Sequence, residues 1–224
     1  MTAMATAYTD LSDAPGGPPI SRVERAVLCD LFEQVGPSAP TLCEGWDTHH
    51  LVAHLRGRES RNPLRSLVAA VPKLGDRSVD DIVAHHDYAE LVDAVRHGPP
   101  SPTLYSVSRL EPLLNGLEYF IHHEDVRRAS ADWEPRRLPR WAEDQIWART
   151  VGVAKLTTRR GPTGVILERT DTAASARVSK GDAVTIRGLP SEITLYLSGR
   201  RASSRAELRG APADVAAYTA HAGG

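Results

Sequence analysis

Cysteine is scarce in this 224-residue chain, which has only Cys29 and Cys43. Two thiols make no disulfide framework, and a reducing cytoplasm is the expected setting. Long apolar runs are missing too: none approaches the roughly 20 residues that a membrane-spanning helix requires, so no membrane partner is expected. No basic segment leads into an apolar one at the N-terminus, and a secreted product is not expected. Neither sign of charge dominates, with 27 basic and 28 acidic residues and a formal net charge of −1. That balance gives no reason to expect a nucleic-acid partner. Lysine occurs only at Lys73, Lys155 and Lys180, an arginine bias that follows genome composition more readily than function. The basic run Arg136-Arg137-Leu138-Pro139-Arg140 is too short and isolated for nucleic-acid binding and reads as a solvated face.

What is present is an ordinary globular composition, 41% hydrophobic and 25% charged, with enough length for one large domain or two small ones. Residues 1–19 are rich in Ala, Thr, Gly and Pro and read as a flexible arm. Residues 20–158 read as mainly helical. A first helix is expected from Ser21, with Glu24 at the capping-box position, to Gly36-Pro37. A second begins at Asp47, an N-cap residue, and buries Leu51, Val52 and Leu55. Further helices are expected over 66–71, 79–96, 111–129 and 138–156, the last packing through Trp141, Ile146, Trp147 and Val151. These are enough amphipathic segments for a four-helix bundle. Residues 159–224 change character: short strand-like runs at 165–168, 174–178 and 183–187 are separated by turn residues. A helix at 191–198, a strand at 206–209 and a helix at 212–220 complete a small α+β unit that needs a packing partner. The fold class is therefore α+β overall.

The stretch Glu118-Tyr119-Phe120-Ile121-His122-His123-Glu124-Asp125 carries the chemistry. A four-residue step along a helix returns to within about 40° of its starting direction, so Glu118 and His122 project from one face. Asp125, seven residues after Glu118, returns to that face as well; it can orient a ligand or pair with Arg127 or Arg128. The second helix offers His54. Two imidazoles and one carboxylate suit zinc and several other divalent ions and leave coordination positions open. The competing reading makes His54 and His122 core histidines bonded to carboxylates, with Glu118 paired to an arginine. His50, one turn before His54, can be a fourth ligand, a proton carrier or a helix-end residue, and the last two are favoured. His49 and His123 fall off the relevant faces, and His85 and His86 sit in a polar helix. Cys29 reads as core, and Cys43 as a buried structural thiol rather than a nucleophile.

Taken together, Thr41-Leu42-Cys43-Glu44-Gly45-Trp46, Leu51-Val52-Ala53-His54-Leu55 and the 115–129 stretch resemble the mycothiol-dependent maleylpyruvate isomerase family. That family lies within the DinB-like metal-binding bundles, and the 115–129 stretch resembles an actinobacterial branch known for metal binding alone. The segment 184–200 resembles the family's small second domain. The resemblance implies a DinB-like four-helix bundle followed by a small α+β domain, and a zinc-type site at His54, Glu118 and His122. It further implies that an arginine of the second domain binds anionic substrate or cofactor, with Arg200 as the candidate and Arg187 and Arg201 nearby.

The expected function is a mycothiol-dependent isomerase or S-transferase, in which a divalent metal activates the thiol against a small electrophilic substrate. His50 and Arg200 are the candidate catalytic residues. The rival is a metal-binding or partner-binding module without turnover; hydrolysis by metal-activated water is a weaker third. The expected protein is a monomer or homodimer.

Overall fold

In the computed structural model the described residues are 17–59, 72–98, 111–158, 161–181 and 183–222. The expected helix at 66–71 and the flexible arm up to residue 16 lie outside them. Contacts divide the chain into two units, the first containing Pro18–Arg136 and the second Arg137–Gly224.

The first unit is helical: α1 (Ile20–Val35), α2 (Thr48–Arg58), α3 (Pro72–His85), α4 (Tyr88–His97) and α5 (Glu111–Arg127). In α1 the buried residues Val23, Val27, Leu28, Leu31 and Phe32 recur at the three- and four-residue steps of one helical face. Helix α1 packs on α4 and α5, and α2 on α3 and α4. Leu28, Phe32, Leu51, Leu55, Val92, Val95 and Tyr119 form a common core. Gly36 ends α1 at φ 78°, its N–H returning to the Phe32 carbonyl, a backbone state that a residue without Cβ adopts at no steric cost. Asp47 caps α2 as expected, its carboxylate accepting from the His50 N–H, a contact worth about 1 kcal/mol.

Two local expectations fail here. Helix α1 starts at Ile20 behind Pro19, with no side-chain cap. Glu24 is fully buried instead of capping, and pairs with His123 and Arg136. That also corrects the reading of Arg136, whose side chain is only 10% exposed because it meets two buried carboxylates, Glu24 and Glu124. The single helix expected over 79–96 is two helices. Asp87 takes the extended backbone of an N-cap, and α4 restarts from it.

The second unit holds α6 (Arg140–Thr157), β1 (Gly164–Arg169), β2 (Ser175–Arg177), β3 (Ala183–Gly188), α7 (Pro190–Leu197), β4 (Glu207–Arg209) and α8 (Pro212–Ala222). The sheet order is β2-β1-β3-β4, with β1 and β3 parallel and both outer pairs antiparallel. Alternation along β1 and β3 puts Val165, Leu167, Val184 and Ile186 in the core, as a strand's two-residue period requires. Ile193, Tyr196, Tyr218, Ala154, Trp147 and Val151 complete it. Helix α6 thus packs with the sheet unit, although its sequence grouped it with the helices before it. The division falls at 136/137 rather than at 158/159, because α6 turns its apolar stripe to α7 and the sheet core.

Candidate metal centre

Asp47 fixes where α2 begins, and its 3.6-residue period then stacks His50, His54 and Arg58 at four-residue steps along one side. On α5 the same step pairs Glu118 with His122. These two rows meet. Nε2 of His54 lies 3.3 Å from Glu118 Oε1, and Nε2 of His122 lies 3.2 Å from the same oxygen. The two rings stand 5.3 Å apart between centroids at 76°. The Trp46 ring packs 5.1 Å from His54, limiting the ways the imidazole can turn.

Behind this cluster lies Asp125, fully buried, whose Oδ2 is 2.9 Å from His122 Nδ1. Cys43 donates its Sγ–H to the same oxygen at 3.2 Å, and the Leu42 N–H donates to the Asp125 carbonyl at 3.0 Å. The loop before α2 is thereby tied to α5. Arg58 approaches from the outer side, its Nε 3.2 Å from Glu118 Oε1.

Charge and burial work against each other here. Burial alone would raise the Glu118 carboxyl, but hydrogen bonds from His122 and His54, with the charges of His122 and Arg58, hold it well below the usual carboxylate range. Burial pushes His54 below its ordinary value, and the Glu118 hydrogen bond only partly offsets this. For His122 burial is outweighed by hydrogen bonding with Asp125, Cys43 and Glu118, and its pKa stands well above the usual value.

The donor set fits a divalent cation. One atom each from His54, Glu118 and His122 lies within 4.8 Å of the others, and three ligands leave room for a fourth in a tetrahedral site. With the Nδ1 proton held by Asp125, the His122 ring is oriented to offer Nε2, the outer hydrogen bond that metal-ligating histidines typically make. A second trio, Cys43, His122 and Asp125, is equally close, but it reuses His122 through the nitrogen already engaged by Asp125. We take it as the supporting layer of the first.

The four-residue step pairs Glu118 with His122, and the packing of α2 beside α5 brings His54 to the same oxygen. Glu118 also has the arginine partner of the competing reading. Asp125 faces His122, whereas Arg127 and Arg128 pair with Glu124. His50 stands apart from both donor groups: its Nδ1 is 2.6 Å from Asp47 and its Nε2 3.9 Å from Asp80. His123 is wholly buried against Glu24. Cys29 is core, and burial pushes its thiol up to about 12. Cys43 is half-buried rather than buried. Arg200 belongs to the second unit, where its Nη1 donates to the Ser198 carbonyl at 2.6 Å. Arg58 and the Cys43–Asp125 contact were missed. The signal for Arg58 was its four-residue step from His54; Cys43 lies 82 residues from Asp125 and carries none.

No protein-family model matches this chain, and no curated protein matches it. Among solved structures, a histidine-to-alanine mutant of the mycothiol-dependent maleylpyruvate isomerase is 14% identical. The match covers 92% of this chain and 93% of that one, with a TM-score of 0.52. A structure of the mycothiol-dependent maleylpyruvate isomerase is 15% identical over the same shares, with a TM-score of 0.48. At such identities the likeness shows the fold, a mixed helix-and-sheet architecture. Among the described residues, no helix is long and apolar enough to cross a membrane.

Proposed function

We propose that this chain is a divalent-metal enzyme that uses a low-molecular-weight thiol, mycothiol, to isomerise or S-transfer a small electrophilic substrate. Zinc is the proposed metal and His54, Glu118 and His122 are its ligands. The proposal includes a DinB-like four-helix bundle for the first unit, cytoplasmic location and a monomeric or homodimeric state. The observation that carries it is the convergence of two imidazole nitrogens on one carboxylate oxygen, with a buried carboxylate behind one ring. The fold likeness to a mycothiol-dependent isomerase supports the choice of thiol.

Within this reading His54 and His122 present Nε2 and Glu118 supplies the negative charge. Asp125 keeps the Nδ1 proton of His122 and so orients that ring, while Trp46 restrains His54. A divalent ion held there would favour the thiolate form of a coordinating thiol. Substrates are small molecules with an electrophilic C=C bond: the thiolate adds to one carbon, the π bond breaks and the thiol proton goes to the other end; loss of thiol and proton after rotation gives isomerisation, and the retained adduct gives transfer. His50, aligned by Asp47, is proposed as a proton carrier and Arg200 as an anion-binding residue of the second unit.

The Arg58–Glu118 ion pair favours a second reading, a binding module in which these groups form a buried polar cluster without turnover. Elemental analysis of protein purified without an affinity tag or chelator separates the two. We expect about one equivalent of divalent metal per chain, lost in His54→Ala, and a change in the visible spectrum of the cobalt-substituted protein on adding mycothiol. Absence of metal after reconstitution would end the enzyme reading. Metal without a response to mycothiol would leave the binding module.

A further inference from the structure

Glu118 Oε1 is crowded. His54 Nε2, His122 Nε2 and Arg58 Nε all lie 3.2–3.3 Å from this one atom, and a carboxylate oxygen offers only about two lone-pair directions. Two of the three neighbours are the nitrogens that would share a cation with it. The third is itself a cation, and guanidinium keeps its charge at any pH a protein meets. Its place on α2 is fixed by the same helical period that delivers His54, so it is part of how the site is built. The Arg58 side chain is 24% exposed, against 9% for His122 and none for Asp125. The Glu118 side chain is 21% exposed, so this ion pair lies at the solvent-facing end of the cluster, while Asp125 lies at its buried end.

Resting on the metal reading of this site, we infer that Arg58 is an internal competitor for the metal: it neutralises Glu118 when no cation is bound, and a divalent ion must displace or repel it to bind. Two consequences follow. Without metal, Arg58 compensates a carboxylate that burial would otherwise penalise, so it stabilises the fold. With metal, it gives up its ion pair with Glu118 and remains a permanent positive charge near the ion, so it weakens binding. Ions that owe little to imidazole, such as magnesium and calcium, gain too little to overcome it, whereas nitrogen-seeking ions such as zinc and cobalt do. The repulsion is the same for every divalent ion, so Arg58 sets how tightly the donors must hold an ion, while the two imidazoles set which ion they prefer.

The two consequences have opposite signs, which a purely structural role would not give. Full-length protein stripped with a chelator is compared as wild type, Arg58→Met, Arg58→Gln and Arg58→Lys. Zinc affinity is read by competition with a chromophoric chelator, and melting temperature is read on the stripped forms. The expected result is about tenfold tighter zinc binding in Arg58→Met, from removal of the like charge, together with a lower melting temperature. Arg58→Lys, which keeps the charge, stays near wild type in affinity. Should the Met variant fail to fold, Arg58→Gln decides by the same two readouts. Wild-type zinc binding with equal or weaker binding in the neutral variants would overturn the inference alone. Zinc uptake by none of the proteins would overturn it together with the metal reading.

Discussion

The two units bury polar groups for different ends. In the first, the successive residues His122, His123, Glu124 and Asp125 of α5 are all buried, and each faces a different partner. His122 meets Glu118 and Asp125, His123 meets Glu24, Glu124 meets Arg127, Arg128 and Arg136, and Asp125 meets Cys43. In the second unit the strands bury Val165, Leu167, Val184 and Ile186. There the buried Glu143 accepts from the N–H and hydroxyl of Ser191 at the start of α7. Buried ion pairs recover little more than their desolvation cost, whereas apolar burial is a net gain. Both units have an apolar core, and the first adds to it four successive buried polar residues on one helix. The polar row of α5 specifies orientation, and the candidate metal centre lies at its His122 end.

The glutamates make the contrast sharp. Burial pushes both up, but at Glu124 the charges of Arg136, Arg127 and Arg128 overcome it and hold the carboxyl near 2. At Glu143 the Ser191 hydrogen bonds do not suffice, and burial leaves it at about 7.

Three variants test this division, taken from the largest effect down. Leu167→Ala removes a fully buried side chain from the sheet and should cost about 2–5 kcal/mol in denaturant unfolding, with the metal content of the folded protein unchanged. Loss of metal in that variant would break the separation of cohesion from site. Asp125→Asn should weaken metal binding about 10- to 100-fold, the usual cost of losing a ligand's outer partner, while barely altering the unfolding of the second unit. Unaltered affinity would remove Asp125 from the site. The smallest effect is the pH response of Glu143. Its folded pKa of about 7 lies above the ordinary 4.5, so the folded state binds the proton more tightly. That contribution is complete below about pH 4.5 and is lost as pH rises toward 7. Glu143→Gln should flatten this decline in melting temperature, and an unchanged pH profile would show that Glu143 is ionised in the fold.

Much of this was legible locally. Asp47 caps α2, Gly36 closes α1, the alternating runs at 165–168 and 183–187 are paired strands, and the four-residue step joins Glu118 to His122. Other features were not. Glu24 has the spacing of a capping residue only for a helix that begins after Ser21; the helix begins at Ile20 behind Pro19, which has no N–H to donate, and Glu24 turns to His123 and Arg136 instead. Arg136 sits in a basic run that reads as surface until those carboxylates are in place. Helix α6 has an apolar stripe that fits either neighbour, and periodicity says which face is buried without saying against what.

By itself the sequence determined the cap of α2, the alternation of β1 and β3 and the pairing of Glu118 with His122, because these depend on residues within a turn or two of one another. Only the tertiary structure decided that His54 and Arg58 share Glu118 with His122, that Asp125 holds both His122 and Cys43, and that α6 belongs with the sheet. Those contacts join residues tens of positions apart, and they are selected by how whole helix faces pack, which no local period encodes.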